Sequence, residues 1–214
     1  TANPALGIAS DIIVDHGGSS ILSETPEIYG AEHLLFERSI NKLNINKIQK
    51  QLQWWKDYLH KNGSTMDNNP SPGNKRGGLT TILEKSLGAV AKSGTRKMVD
   101  VLDYAEKLKV KGFNFMNSPG YDPVSVTGQV ASGANIICFT TGRGSCFGFK
   151  PTPSIKIATN TNMFNKLKED MDINAGSIMD NEKSLDEVGK EIIDKIIAVA
   201  SGEKSKSEIN EYGD

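Results

Sequence analysis

A chain of 214 residues with 37% hydrophobic residues is long enough to bury a proper core, as one large domain or two small ones. Its 25 basic residues nearly balance its 26 acidic residues, and the net charge of -1 implies no nucleic-acid or anionic-membrane partner. No apolar run approaches the roughly 20 residues of a membrane helix, and two cysteines, Cys138 and Cys146, cannot form a disulfide framework, which favours a reducing cytoplasm.

The N-terminal part of the chain carries helix and strand signals in turn. A helix with one apolar face is predicted over residues 3–17, opened by Asn-Pro and ended by Gly-Gly. A short strand over residues 19–23 leads into an acidic loop at 24–27. The next helical region is predicted to run from 29 to 61, with a break near 44–46.

The middle of the chain is interrupted by a long polar loop. Residues 62–78 contain two prolines, four glycines and several asparagines, a composition that predicts no helix or strand. A loop of this length in a compact domain is usually functional or disordered. Helices are then predicted over residues 79–92 and 98–109.

Residues 112–160 are the stretch around which the fold is predicted to be organised. Their apolar runs are rich in β-branched and aromatic residues and predict buried strands. These runs are 113–116, 136–139 and 154–158. Between the first two, Asp122 is predicted to cap a helix that has Pro123 at its first position and ends near Ala131. Strand, helix and strand form a βαβ unit, which favours parallel pairing.

The C-terminal part is predicted to be helical. A short helix is expected over 163–171, and Ser184 with Glu187 forms a capping box for a last helix. The charged tail, residues 203–214, is expected to fray. Together the elements predict an α/β fold with a mainly parallel, Rossmann-like sheet of about four or more strands flanked by helices, in a single domain over residues 1–202.

A glycine-rich loop follows the second of the central strands. Gly142, Arg143 and Gly144 could bind an anion through backbone N–H groups and the arginine fork, or could merely form a turn out of the sheet. A dinucleotide fingerprint is a poor match, because an aromatic, proline-containing stretch follows where a helix should begin.

Two glutamates follow the first predicted strand. Glu24 and Glu27 could exchange a proton with a substrate or bind a hard cation. One of them could equally be an ordinary first-turn glutamate of the next helix. The three histidines are far apart and show no ligand spacing, and no metal ligand is assigned.

The long polar loop also carries candidate site residues. Lys75 could act as a general base if burial lowered its pKa, or as an electrophile paired with a carboxylate, although a surface loop with two cations is common.

Three runs of the sequence carry a family resemblance. They are SETPEIYGAEHLL at 23–35, MDNNPSPGNKRGGLTTILEKSLGAVAKSG at 66–94 and YDPVSVTGQVASGANIICFTTGRGSCFGFKPTPSIKIATNT at 121–161. The chain, as far as about Gly202, resembles the C-terminal catalytic region of the altronate dehydratase/galactarate dehydratase family, and the altronate branch is most similar. The resemblance implies that the chain is part of a longer protein with an N-terminal domain of its own.

The resemblance also implies a chemistry. Such enzymes dehydrate a sugar acid, here most simply D-altronate to 2-keto-3-deoxy-D-gluconate in hexuronate catabolism, and a divalent metal, usually Fe²⁺, is expected. On this interpretation the catalytic acid, base or electrophile is supplied by Glu24, Glu27 and Lys75, and a set of polar residues binds the substrate. The substrate-binding candidates are Asn69, Asn74, Gly142, Arg143 and Gly144. The alternatives are a galactarate dehydratase, the large subunit of a sulfolactate sulfo-lyase, or a module that only binds substrate or assembles when isolated. The sequence leaves open whether the protein forms a homo-oligomer.

Overall fold

The computed structural model describes residues 1–66, 72–76 and 78–213, and for Asn74 it describes the backbone alone. The α-helices are α1 (Ala2–Asp15), α2 (His33–Glu37), α3 (Lys42–Lys61), α4 (Pro72–Arg76), α5 (Ile82–Ala91), α6 (Asp122–Ser132), α7 (Thr161–Lys166), α8 (Leu185–Ala200) and α9 (Lys206–Ile209). The strands are β1 (Ser20–Leu22), β2 (Met98–Leu102), β3 (Phe113–Met116), β4 (Ile137–Thr141), β5 (Ser154–Ala158) and β6 (Ile173–Asn174). Short 3₁₀ helices span Thr25–Ile28 and Ala175–Ile178.

The strands of the described residues form two parallel sheets. The first sheet has the order β1-β3-β2 and the second β4-β5-β6, and every pairing between named strands is parallel. The predicted α/β class with parallel pairing is therefore confirmed. The prediction of one sheet with four or more strands is wrong, because α6 leads from β3 across to a second sheet, where β4 pairs with β5.

The largest secondary-structure error concerns β2. Residues 98–109 were predicted as a helix, whereas Met98–Leu102 is a strand paired with β3. Met98, Val101 and Leu102 have helical spacing, but all three are buried by the sheet and the helices around it. A strand packed on both faces shows no polar–apolar alternation, so the pairing with β3 overrides the local pattern.

Smaller differences concern helix boundaries. The break in the helical region 29–61 lies at Asn41, whose side chain accepts a hydrogen bond from Asn44 N and caps α3. Tyr121, not Asp122, occupies the N-cap position of α6, and Gly133 ends that helix at a φ of 116° as expected. Within the segment predicted to lack helix, Pro72–Arg76 forms α4.

The C-terminal residues are ordered rather than frayed. Ser205 and Glu208 form a capping box for α9, and the Ser205 and Ser207 side chains are buried against the second sheet. The charged residues of this segment face solvent while its serines pack inward. Composition alone therefore predicted the wrong behaviour for residues 203–213.

Each sheet supports its own apolar core. The core of the first sheet includes Phe113 and Phe115, and the core of the second includes Ile155 and Ile157. The parallel strands of each sheet point their carboxyl ends toward the loops that follow β1, β3, β4 and β5. None of the helices in the described parts of the chain is long and apolar enough to span a membrane.

Candidate active site

A cleft of about 1390 Å³ separates the two sheets. Its walls include β1, an edge strand of the first sheet, and β4, an edge strand of the second, together with parts of α1, α5 and α6. Polar and charged side chains from strand ends and from helices line it, including Glu24, Glu27, Lys85, Asp122 and Arg143. Residues that are far apart in the sequence are thus gathered at one opening, as expected for an α/β fold.

The acidic side of the cleft begins where β1 ends. Glu24 has a φ of 77°, a left-handed conformation that is uncommon for a residue other than glycine. Its backbone N–H donates to Ser118 Oγ at 2.9 Å, and the next N–H, that of Thr25, donates to Ser118 O at 3.0 Å. The turn after β3 therefore holds the turn after β1, and the 3₁₀ helix that follows carries Glu27 into the same cleft.

The two glutamates form a hydrogen-bonded pair with opposite pKa shifts. Burial, and then the nearby charge of Glu27, raise the pKa of Glu24 well above its usual range. Burial also opposes ionisation of Glu27, but Lys92 and Lys85 outweigh it and hold the pKa of Glu27 below its usual value. Within the pair, a proton is therefore held more tightly by Glu24 than by Glu27.

Two lysines of the α5 region place positive charge beside the glutamate pair. Lys85 Nζ lies 2.5 Å from Glu27 Oε1, and these side chains are 20% and 11% exposed, so the ion pair is only weakly screened by water. Lys92, the C-cap of α5, also lines the cleft. Burial, followed by the charge of Glu27, raises the pKa of Asp122, which also lines the cleft. A developing negative charge in this part of the cleft would meet two ammonium groups.

The loop after β4 supplies the second side of the cleft. Gly144 N and Arg143 N donate to Thr141 Oγ1 at 3.1 and 3.4 Å, so both N–H groups are bonded within the turn. The guanidinium of Arg143 packs on Gly73 of α4 so closely that a Cβ at that glycine would overlap it. The loop thus offers its arginine side chain to the cleft, and the neighbouring Gly142 carbonyl accepts from Asn160 Nδ2 at 3.1 Å.

Comparison with known proteins assigns this architecture to a family. The model of the D-galactarate/altronate dehydratase C-terminal family matches residues 1–214. The chain belongs to this family. The resemblance noted in the sequence is confirmed.

Several known proteins are similar to this family member. Galactarate dehydratase (L-threo-forming) of Escherichia coli K12 is 42% identical over 204 residues, which are 95% of this chain and 39% of that protein. Altronate dehydratase of Bacillus subtilis 168 is 41% identical over 213 residues, 99% of this chain and 42% of that protein. The (2R)-sulfolactate sulfo-lyase subunit beta of Chromohalobacter salexigens is 33% identical and covers 97% of this chain and 54% of that subunit. The chain thus spans about two fifths of the length of the two dehydratases.

The D-galactarate/altronate dehydratase fold brings together only part of the predicted site. Glu24, Glu27 and Arg143 line one cleft, as do Gly142 and Gly144. Lys75 is exposed on α4 and is not among the residues that line the cleft. Asn69 lies outside the described residues, as does the side chain of Asn74.

The sequence interpretation missed Lys85 and Lys92. Isolated lysines in a helical pattern are usually on the surface, so nothing in their residue type marked them. Their spacing of seven residues, which places two side chains on one face of a helix, was the available signal. Asp122, interpreted as a structural cap, also lines the cleft, because it lies one position inside α6.

The metal implied by the resemblance does not fit the described residues by themselves. Among them, no group of three or more histidine, cysteine, aspartate or glutamate side chains is arranged to hold a metal ion. The nearest approach to one is the glutamate pair, and there Glu27 is already matched by Lys85. No step of the reaction is therefore assigned to a metal.

Proposed function

We propose that this chain is the catalytic part of a hydro-lyase that removes water from a sugar acid, with D-altronate as the first candidate substrate and galactarate as the second. The observation that carries the proposal is the Glu24–Glu27 pair in the cleft, whose pKa values are shifted in opposite directions beside two lysines. Elimination of water from a hydroxy acid needs a base, an acid and cations in one place. The names of the similar dehydratases support the same reaction class.

The protonation states suggest the roles of the two glutamates. Glu27, ionised, accepts the proton from the carbon next to the substrate carboxylate, which leaves an enediolate with two negative charges. Glu24, protonated, donates its proton to the departing hydroxyl as the carbon–oxygen bond breaks. Water and an enol are formed, and the enol then becomes the 2-keto acid. The pKa values of the pair are pushed apart in the directions these roles require.

The cations of the cleft would stabilise the negative charge of the enediolate, which a carboxylate base cannot do by itself. A proton next to a carboxylate is weakly acidic, so a base such as Glu27 removes it only if the enediolate is stabilised. Lys85 and Lys92 stand beside the glutamate pair for this purpose. Arg143, from the other sheet, would bind the substrate carboxylate through its planar fork. The substrate would thus connect the two sides of the cleft.

The loop residues are assigned lesser roles. Asn69, Asn74 and Lys75 keep the hydroxyl-contacting role that the resemblance implies. For Asn74 and Lys75 it is supported by α4, which packs on Arg143 through Gly73, and Lys75, beside the cleft, would reach only a substrate that extends past the cleft lining. The base role first considered for Lys75 is dropped in favour of Glu27, since the Lys75 side chain is exposed. Any Fe²⁺ would need ligands from outside the described residues.

The surroundings of the whole protein are also proposals. We place it in the cytoplasm, where the free thiols of Cys138 and Cys146 would remain reduced. An N-terminal domain of the same protein is the proposed partner, because the similar dehydratases are more than twice as long as this chain. A sulfo-lyase is the alternative activity, supported by the similar sulfolactate sulfo-lyase subunit.

The test is release of a 2-keto acid from D-altronate and galactarate. It is run on this chain and on the full-length protein, with and without added Fe²⁺. Glu24→Gln and Glu27→Gln should each lower kcat by about 10²- to 10⁴-fold, the usual contribution of a positioned acid or base. The exposed Glu37→Gln variant is the control and should keep full activity.

The outcomes separate the alternatives. Activity in the full-length protein alone would show that this chain is a binding or assembly module until the rest of the protein completes its site. Release of sulfite from sulfolactate, with no reaction of the sugar acids, would assign the sulfo-lyase activity instead. Full activity of Glu24→Gln and Glu27→Gln would contradict the proposed mechanism.

A further inference from the structure

We propose that the C-terminal segment, Ser205–Gly213, positions the arginine loop, residues 142–149, for substrate binding, and that Tyr212 and Lys156 are the positioning residues. The inference rests on the proposed role of Arg143 in binding the substrate carboxylate. Neither positioning residue lines the cleft, so each would act through the loop. Nothing in the sequence pattern indicates this role, since the segment has the composition of a charged tail.

The first contact is made from beneath the arginine loop. Lys156 of β5 is fully buried, and its Nζ donates to Ser145 O at 2.9 Å, two residues after Arg143. A buried ammonium group requires polar or aromatic partners, because leaving it unpaired in the interior is costly. The loop carbonyl is one such partner, and its position is therefore set by the lysine.

The second partner of this lysine comes from the C-terminal segment. Lys156 Nζ lies 4.4 Å from the centre of the Tyr212 ring, within the range of a cation–π contact. The Tyr212 hydroxyl also donates to Asp170 Oδ1 at 2.5 Å, on the far side of the ring from the segment backbone that packs on Gly148. Tyr212, Lys156 and Ser145 thus form a continuous series of contacts from the C-terminal segment to the arginine loop.

Residues at both ends of the C-terminal segment make further contacts with the second half of the chain. Lys206 N donates to Asp172 Oδ1 at 2.9 Å, and the Asp172 side chain is fully buried. The same carboxylate accepts from the backbone N–H of Lys156 at 2.8 Å through its other oxygen. At the far end, Gly213 lies so close to the backbone of Phe149 that a Cβ would come within 2.9 Å of its N atom.

Direct contacts also join the C-terminal segment to the arginine loop. A Cβ at Gly148 would lie 2.7 Å from the Cβ of Tyr212, so only glycine allows this approach. Ser207 Oγ donates to Phe147 O at 3.4 Å. The second half of the loop is thus covered by the segment, while Arg143 in the first half points into the cleft.

These contacts matter because a flexible arginine would bind a carboxylate weakly. Ordering a loop upon binding costs free energy, and a loop that is already ordered avoids that cost. Removing the Tyr212 ring should therefore weaken substrate binding more than it slows the chemical step at the glutamate pair, which lies on the other sheet.

The experiment compares Tyr212→Ala with the wild type in the full-length protein. Tyr212→Ala should raise KM for D-altronate roughly tenfold and change kcat by no more than about twofold, the signature of lost binding rather than lost chemistry. Tyr212→Phe keeps the ring and should have a KM close to that of the wild type. Tyr58→Ala, which removes an exposed tyrosine of α3, is the matched control.

A second readout needs no activity. Trypsin cleaves after Arg143 only when the arginine loop opens, so Tyr212→Ala should accelerate this cleavage by roughly fivefold or more. Cleavage after Lys61, at the end of α3, should keep its rate. Lys156→Met, which removes the donor to Ser145 O but keeps an apolar stem, should accelerate cleavage after Arg143 as well.

The outcomes distinguish this inference from the proposed function. Unchanged cleavage after Arg143 in both Tyr212→Ala and Lys156→Met would overturn the inference. Faster cleavage with an unchanged KM would also overturn it, since the loop would then have no part in binding substrate. If the wild type acts on neither sugar acid, the proposed function fails, and the trypsin rates still decide whether the segment orders the loop.

Discussion

At the scale of single residues, the cleft shifts the pKa values of two glutamates that lie three positions apart in opposite directions. Glu24 is half-buried beside Glu27, whereas Glu27 is buried beside two ammonium groups. Burial works against ionisation of both, so the lysines decide which one carries the charge. Two carboxyl groups in one cleft thus differ in how tightly they hold a proton.

The raised pKa of Glu24 predicts a stability that depends on pH. In the unfolded chain Glu24 ionises above its ordinary pKa of 4.5, while in the native protein it keeps its proton to a higher pH. The native state therefore loses stability as pH rises from 4.5 toward the native pKa. Glu24→Gln cannot ionise and should be more stable than the wild type at pH 8, by about 1 kcal/mol, and equally stable near pH 4.5.

Urea unfolding of the two proteins at both pH values measures this difference. The side-chain amide introduced by Glu24→Gln can still donate to Glu27, as the protonated carboxyl does, so the pair's hydrogen bond is preserved. Glu37→Gln, on the surface, should change the free energy of unfolding by less than about 0.5 kcal/mol at either pH. A Glu24→Gln variant less stable than the wild type at pH 8 would mean that Glu24 is ionised and paired in the native protein.

At the scale of elements, the turn between β3 and α6 holds the turn after β1 in an unfavourable conformation. Glu24 keeps its positive φ because Ser118 accepts from the N–H groups of both Glu24 and Thr25. Ser118 is itself 1% exposed, and its hydroxyl lies 3.1 Å from that of Ser125 on α6. Strain of this kind persists only where surrounding contacts enforce it.

Ser118→Ala should therefore release the Glu24 backbone. The substitution leaves the N–H of Glu24 without its acceptor, at a cost of about 1–3 kcal/mol in the free energy of unfolding. Misplacing the Glu24 carboxyl should also lower kcat roughly tenfold or more. Chemical denaturation and the 2-keto acid assay measure the two effects.

Ser132→Ala is the matched control for this prediction. Ser132 is as buried as Ser118, but its hydroxyl donates to Gly128 O of its own helix and to the sulfur of Met116. Losing such a bond within a helix costs little. Equal losses of stability and activity in the two variants would show that burial, not the support of Glu24, explains the effect of Ser118→Ala.

The sequence indicated those elements whose local pattern agrees with their surroundings. β3 and β5 were predicted with their observed bounds, and the capping box of α8 is present as predicted. β2 was missed because its buried residues happen to have helical spacing and only pairing with β3 decides otherwise. The C-terminal segment was misjudged because its composition is charged, while a few small residues and Tyr212 make its contacts.

The candidate site, like the fold, was predictable from the sequence only in part. The rule that parallel strands gather ligands at their carboxyl ends was enough to suggest Glu24, Glu27 and Arg143. It could not suggest Lys85, which reaches the cleft from the middle of a helix. The rule also does not tell whether the strands belong to one sheet or to two. Strand order depends on contacts between residues that are far apart in the sequence.

At the scale of the whole molecule, α1 connects the two halves that enclose the cleft. Ala5 and Ala9 of α1 belong to the core of the second sheet, and a Cβ at Gly189 of α8 would lie 2.7 Å from Ile8. On its other side α1 approaches the end of α5 through Gly7, which has no room for a Cβ against Ala91 O. Because α5 carries Lys85, the spacing of these helices sets how far Lys85 lies from the other side of the cleft.

Gly7→Ala should therefore separate α1 from α5. Alanine favours a helix over glycine by about 1 kcal/mol, but the new methyl group meets the backbone of Ala91 and lies 3.0 Å from Gly94 N, and backbone cannot move aside as a flexible side chain can. The net effect should be a loss of about 1–3 kcal/mol of stability, accompanied by a lower kcat as Lys85 shifts.

Gly88→Ala on α5 is the control, since its Cβ would approach only Asn3 Nδ2, at 3.4 Å, and the variant should gain about 0.5–1 kcal/mol. Thermal unfolding of both variants decides the point: if Gly7→Ala were stabilised as much as Gly88→Ala, the close contact of α1 with α5 would not be what holds the two halves at their distance.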